Sequence, residues 1–170
     1  LNTFYFLERI MGYDFTKRFD AGSADSSGDN KLRDGGTYVL IAEHAEEKTT
    51  RKGDGKLVSI KFTVADGGCK GKTIWGNFNT ENPNPRAANI GLEALEKLAK
   101  SIGYSDGKVE DLKLLCYIPF LGTLKMRRDE QNEVRFDIAK FTVLEEPERI
   151  RVMEAWTTHG SGSDDAGAYF

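Results

Sequence analysis

Between Lys56 and Ala65 apolar and polar positions alternate, with Val58, Ile60, Phe62 and Val64 set against Ser59, Lys61 and Thr63. That period of two is the signature of a strand with one face buried. Asp66-Gly67-Gly68 then breaks the pattern as a turn. Lys72 to Asn79 predicts a third strand, with Ile74 and Phe78 on one face and Thr73, Trp75, Asn77 and Asn79 on the other. Upstream, Thr37 to Glu47 is β-rich and apolar at its start, which predicts the first strand. The period changes after Asn84-Pro85, an N-cap followed by proline at the first helical position. Ile90, Ala94, Leu95, Leu98 and Ile102 then recur at helical spacing, and Gly103 ends the run. Glu93 with Lys97 and Glu96 with Lys100 support that helix at i,i+4. Leu114 to Arg127 and Val134 to Leu144 predict two further strands around the polar turn Asp129 to Glu133.

The order β-β-β-α-β-β predicts a mostly β fold, an OB-fold-like five-stranded barrel with its helix between strands three and four. The expected domain runs from residue 36 to 147. Residues 1–35 read as a flexible N-terminal arm, because Asp20 to Gly36 is rich in Asp, Ser, Gly and Asn with Leu32 as its one large aliphatic residue. Residues 148–170 read as an acidic, flexible C-terminal tail. Leu1 to Ile10 carries Phe4, Tyr5, Phe6 and Leu7 without the basic and small-residue flanks of a signal peptide, so Met11 is the expected natural start.

Composition narrows the class. The 170 residues are 39% hydrophobic and 30% charged, as in a soluble globular domain, and no apolar run is long enough for a transmembrane helix. Cys69 and Cys116 make no CxxC pattern, and His44 and His159 are the only histidines, so no metal site or disulfide framework is expected. The expected compartment is therefore the cytoplasm. Net charge is −3 overall, but it is distributed as −1 over residues 1–35, +4 over 36–128 and −6 over 129–170. A basic body followed by an acidic tail suggests an anionic ligand for the body.

In an OB-fold, ligands lie on the outer face of strands two and three, between the loops joining strands one to two and four to five. The first of those loops here carries Lys48, Arg51, Lys52 and Lys56 around two glycines, a composition suited to tracking phosphates. The second begins with Lys125, Arg127 and Arg128, diluted by Asp129, Glu130 and Glu133. Alternation puts Trp75 on the outer face beside Lys61, where an exposed ring would stack a nucleobase. Asn79 shares that face, and Arg127 completes the cationic set. The chain ends in a Gly/Ser spacer followed by Asp164, Asp165, Tyr169 and Phe170, a tail suited to a basic groove or to a partner with a pocket for a terminal aromatic and carboxylate.

The stretch Gly71-Lys-Thr-Ile-Trp-Gly-Asn-Phe-Asn-Thr-Glu-Asn-Pro-Asn-Pro, followed by Ala87-Ala-Asn-Ile-Gly-Leu-Glu-Ala-Leu-Glu-Lys-Leu, resembles a phage protein family that carries a domain-of-unknown-function label. The resemblance spans about Tyr13 to Glu145 and is most specific over Trp75 to Leu98. It implies a presumed single-stranded DNA-binding protein encoded near phage recombination and replication genes, acting in the host cytoplasm. Trp75 and Asn79 match the motif. The acidic ending before Phe170 is similar to the partner-recruiting tails of single-stranded DNA-binding proteins, with two acids and an inserted Ala-Gly-Ala-Tyr.

The function expected from sequence is thus sequence-nonspecific binding of single-stranded DNA, without catalysis and without cofactor. Replication or recombination proteins are the expected partners of the tail, and self-association is compatible with the chain. A protein-interaction module engaging a host protein is the alternative, and a metal-dependent nuclease a third reading. Gly67 to Thr73 resembles a phosphate-binding loop only superficially: three residues separate Gly67 from Gly71, and a strand follows where a helix is required. Glu145, Glu146 and Glu148 read as a solvated acidic edge.

Overall fold

The computed structural model describes residues 30–159. Five strands form one antiparallel sheet: β1 (Thr37–Thr49), β2 (Lys56–Val64), β3 (Thr73–Glu81), β4 (Phe120–Arg128) and β5 (Val134–Thr142). Their spatial order is β3-β2-β1-β4-β5. Helix α1 (Pro85–Ser101) follows β3, and helix α2 (Glu148–His159) follows β5. The protein is therefore mostly β, an open five-stranded antiparallel sheet with two helices. β3 and β5 form the two edges and do not hydrogen-bond to each other, so the expected barrel is not closed. The edges nevertheless share the core, because the rings of Phe78 on β3 and Phe141 on β5 lie 6.5 Å apart.

The alternation of β2 sets the two faces of the sheet. Val58, Ile60, Phe62 and Val64 are buried with Leu40, Ala42, Ile74, Leu98, Phe120 and Leu124 in the main core. Phe62 anchors it, meeting Phe120 edge-on at 5.8 Å and Phe78 at 6.4 Å. Helix α1 closes this core. Its cap is as the sequence predicts, with the Asn84 side chain accepting from the Arg86 amide at 3.0 Å and proline at the start. The phase of its buried face differs by one step from the reading that included Ile90. Ile90 is 60% exposed, and Gly91 faces inward with Leu98, Ala99 and Ile102. The cause is steric: Gly91 sits so close to β3 that no side chain fits there.

Three other expectations change. The apolar run from Leu114 is not strand throughout. Leu112–Leu115 forms a 3-10 turn capped by Asp111, whose carboxylate accepts from the Lys113 amide at 2.9 Å, and β4 begins only at Phe120. Residues 32–35, expected within the flexible arm, are tied to β4 and the core. Gly35 N–H donates to the Leu124 carbonyl at 2.8 Å, Asp34 accepts from the Met126 amide at 2.7 Å, and Leu32 packs on the core. The segment expected to be a flexible tail from residue 148 begins instead with α2. Finally, α2 builds a second apolar cluster in which Val152 is buried with Ile41, Ala65 and Leu144, and Trp156 packs beside Val39 and Leu121. Ile41 and Val39 alternate with core residues Leu40 and Ala42, so α2 covers part of the face opposite the main core. Arg151 on α2 bonds Asp66 in the β2–β3 turn at 2.6 Å and fixes the helix there. Among the described residues, no helix is long and apolar enough to cross a membrane.

Candidate nucleic-acid interface

The outer face left open beside α2 is built from cross-strand rows. β1, β2 and β3 place His44, Lys61 and Trp75 in one row; Glu46, Ser59 and Asn77 in the next; and Lys48, Leu57 and Asn79 in the third. Two irregularities create this arrangement. One extra residue, Glu43, bulges from β1 between Ala42 and His44, and a register shift separates Lys56 from Leu57 against β3. Bulges of this kind re-aim side chains without ending the pairing.

Trp75 is 51% exposed on the edge strand β3, at the end of its row. Lys48, Thr49, Leu57, Ser59, Trp75 and Asn77 line an open groove of about 450 Å³. Its floor is mixed, with an indole and a leucine for apolar contact and a hydroxyl and an amide for hydrogen bonds. Alternation along β2 and β3 predicts Ser59, Trp75 and Asn77 on this face, and the basic loop predicts Lys48. Ser59, Asn77, Leu57 and Thr49 line the groove without having been singled out as binders, although the period of two already set Ser59 and Asn77 on the right face.

The structure distributes the expected cations differently from a simple basic groove. Lys61 is paired with Glu43 at 2.9 Å, Lys48 with Glu46 at 2.5 Å, and Lys56 with Glu81 at 3.3 Å and Glu47 at 3.7 Å. Arg127 lies on the β4–β5 hairpin, away from the groove lining, and pairs with Asp137 at 2.6 Å. The protonation of these groups reflects the pairing. The hydrogen bond from Lys48 holds the Glu46 carboxyl below its ordinary range. The hydrogen bond to Glu81, with the charge of Glu47 behind it, raises the Lys56 ammonium above its own. Arg51 and Lys52 are the two members of the expected set without a carboxylate partner among the described residues. They occupy the tip of a loop whose shape is fixed locally: Thr50 N–H donates to the Gly55 carbonyl at 3.0 Å, Gly53 N–H to the Thr50 carbonyl at 2.8 Å, and the Thr50 hydroxyl to Asp54 at 2.8 Å. Gly55 also lies against the Glu81 carbonyl, which seats the loop on the end of β3.

The loop between β4 and β5 is likewise a fixed structure. Asp129 accepts from the Gln131 and Glu133 amides at 3.0 and 2.9 Å and from Arg135 Nε at 2.9 Å. Arg135 first, then the Glu133 amide, holds the Asp129 carboxyl below the usual carboxylate range. Asn79 is positioned by α1 as much as by the sheet, because its backbone is the surface on which Gly91 rests. The tail residues Asp164, Asp165, Tyr169 and Phe170 lie outside the described residues, as does the segment preceding residue 30.

Residues 19–113 match a family described as proteins of unknown function, DUF669. The chain belongs to this family. The DUF669 match covers β1, β2, β3 and α1, and with them the whole groove lining from Lys48 to Asn77. It stops before β4, so Arg127, β5 and α2 fall beyond it. No curated protein matches the sequence. Among the described residues, no three histidine, cysteine or acidic side chains converge as metal ligands, and Cys69 and Cys116 are free thiols. Burial pushes the Cys116 thiol up, which leaves it in its less reactive protonated form.

Proposed function

We propose that this protein binds single-stranded DNA, without sequence preference and without catalysis, on the outer face of β1, β2 and β3. The fold proposed for it is of OB type with its barrel left open between β3 and β5, supported by the strand order, by the helix between β3 and β4, and by the approach of Phe78 to Phe141. The observation that carries the reading is Trp75, a large ring left half in solvent in the lining of a groove it shares with Ser59 and Asn77. Exposing an indole on a sheet forgoes apolar burial, and its face is the chemistry on which an unpaired base stacks. Paired bases cannot present their faces, so duplex would be excluded. Arg51 and Lys52 would reach the backbone from the loop tip. A setting in phage replication or recombination follows from the resemblance of the Trp75–Leu98 segment, and the terminal Asp164, Asp165, Tyr169 and Phe170 would serve partner proteins.

The test is a fluorescence-anisotropy titration with labelled oligo-thymidylate and a matched duplex across a salt series. Preference for the single strand with a salt slope of about −0.7 for each phosphate neutralised is the expected result. Failure to bind either nucleic acid at low salt would move the function to a protein partner. One observation favours that second reading: Lys48, Lys56 and Lys61 are all neutralised by carboxylates, so the face is close to charge-balanced.

The Glu43–Lys61 pair gives a sharper prediction. Replacing Glu43 by glutamine releases Lys61, which stands in the same row as Trp75. Affinity for oligo-thymidylate should rise several-fold, and the salt slope should steepen by about 0.7, one additional phosphate contact. An unchanged slope would place Lys61 outside the phosphate path.

A further inference from the structure

Tyr117 stands apart from every other aromatic residue described. Its backbone is left-handed at φ 65°, and its side chain is 57% exposed. Among the described residues Asn132 alone shares that conformation without being glycine, and asparagine tolerates it in a turn. For a bulky aromatic the same conformation is strained, and glycine would make the bend from the 3-10 turn into β4 without strain. No hydrogen bond or ring contact holds the Tyr117 side chain among the described residues. Its neighbours Cys116 and Ile118 pack on the main core, and the exposed Tyr117 does not join them there.

Position gives this exposed ring a role. Tyr117 N–H donates to the Ala42 carbonyl at 2.8 Å, which places the residue along the flank of β1 away from β2, next to the Glu43 bulge. On the other side of that bulge run His44, Lys61 and Trp75 in register. The geometry points to Tyr117 as a second base-stacking residue of the proposed groove, so that the DNA strand crosses the sheet from β3 over β1 with Trp75 and Tyr117 at its two ends. Three strand spacings of ~4.8 Å put the two residues about 15 Å apart. That is about four nucleotides at the ~3.4 Å rise of a stacked strand, and fewer when the bases are splayed. The inference rests on the proposed single-stranded DNA binding and adds a path and a footprint to it.

The experiment compares Tyr117→Ala, Tyr117→Gly, Tyr117→Phe and Trp75→Ala with the unaltered protein, using a twelve-residue oligo-thymidylate and a two-residue one, too short to bridge the two rings, as competitor. Tyr117→Ala and Tyr117→Gly should each weaken binding of the long strand by about 5- to 150-fold, the range for one lost stack. The short competitor, able to reach Trp75 alone, should bind them as before, and Tyr117→Phe should keep near-full affinity. Tyr117→Gly should melt at the same temperature as the unaltered protein or higher, since it removes the backbone strain. Full affinity of Tyr117→Ala for the long strand, with binding lost in Trp75→Ala, overturns the role of Tyr117 and leaves the groove standing. Equal losses for long and short strands also overturn it. If the unaltered protein binds no oligo-thymidylate at low salt, the groove reading fails, and the role of Tyr117 with it.

Discussion

Replacing Gly91 by alanine is expected to destabilise the fold by ~3 kcal/mol, the upper part of the range for overpacking a core. A Cβ built there would lie 2.0 Å from the Asn79 carbonyl oxygen and 2.5 Å from its nitrogen. Both obstacles are backbone atoms of a paired strand, so no rotamer change relieves them, and α1 must lift away from β3. The sign makes the test informative. In an ordinary helix interior the same change stabilises by roughly 0.5–1 kcal/mol, because alanine is the better helix former. A fall in melting temperature of roughly 6–12 °C is expected for a chain of this size. Ile90→Ala, at the exposed neighbouring position, should shift it little. A Gly91→Ala protein that melts at or above the unaltered temperature would mean that α1 is not seated on the β3 backbone in this way.

That contact also shows why the sequence was read correctly in some places and not in others. Hydrophobic period identifies a buried face from residues that carry apolar surface, and β2, with Val58, Ile60, Phe62 and Val64, is such a case. The innermost position of α1 carries no side chain at all, so hydrophobic period points to Ile90, one residue away. The run Leu114-Leu115-Cys116-Tyr117-Ile118 misled for a different reason. A short apolar stretch has the same composition in a strand, a 3-10 turn or a buried loop. The informative signals were Asp111 as a cap and Pro119, which is buried just before β4 begins. Helix α2 was hidden because its apolar residues form no single stripe, with Val152 and Trp156 packed and Ile150 and Met153 exposed, and a stretch that opens with acids reads as tail. Pro147 and Glu148 at its start were the available clues.

The candidate site divides in the same way. Trp75, Lys61, Ser59 and Asn77 share a face because strand alternation is a local rule, and that rule is legible in a single sequence. Charge neutralisation is not local. Glu43 reaches Lys61 only because β1 bulges, and Asp137 reaches Arg127 from the neighbouring strand. Counting cations along the chain therefore overstated the positive character of the face. An electrostatic contribution would come chiefly from Arg51 and Lys52, and the weight of any affinity for a nucleic acid moves toward stacking.

Trp75→Ala consequently tests the contact on which the proposed function rests. Loss of one base stack costs ~1–3 kcal/mol, so affinity for oligo-thymidylate should fall by about 5- to 150-fold. The salt slope should stay nearly constant, because no phosphate contact is removed. Trp75→Phe should retain most of the affinity, since a smaller ring still presents a face to the base. Stability should change little, because the side chain is half in solvent and its strand partner Lys61 keeps its bond to Glu43. The chain has two tryptophans, and the second, Trp156, packs under α2 with Val39 and Leu121. Quenching of intrinsic fluorescence by oligo-thymidylate should therefore come from Trp75 and vanish in the alanine variant, while the Trp156 emission remains as an internal measure of folding. Undiminished affinity in Trp75→Ala, with Trp156 emission intact, would remove the indole from the binding site. Without it, the charge-balanced face around Glu43, Glu46 and Glu81 would be better suited to a protein partner than to DNA.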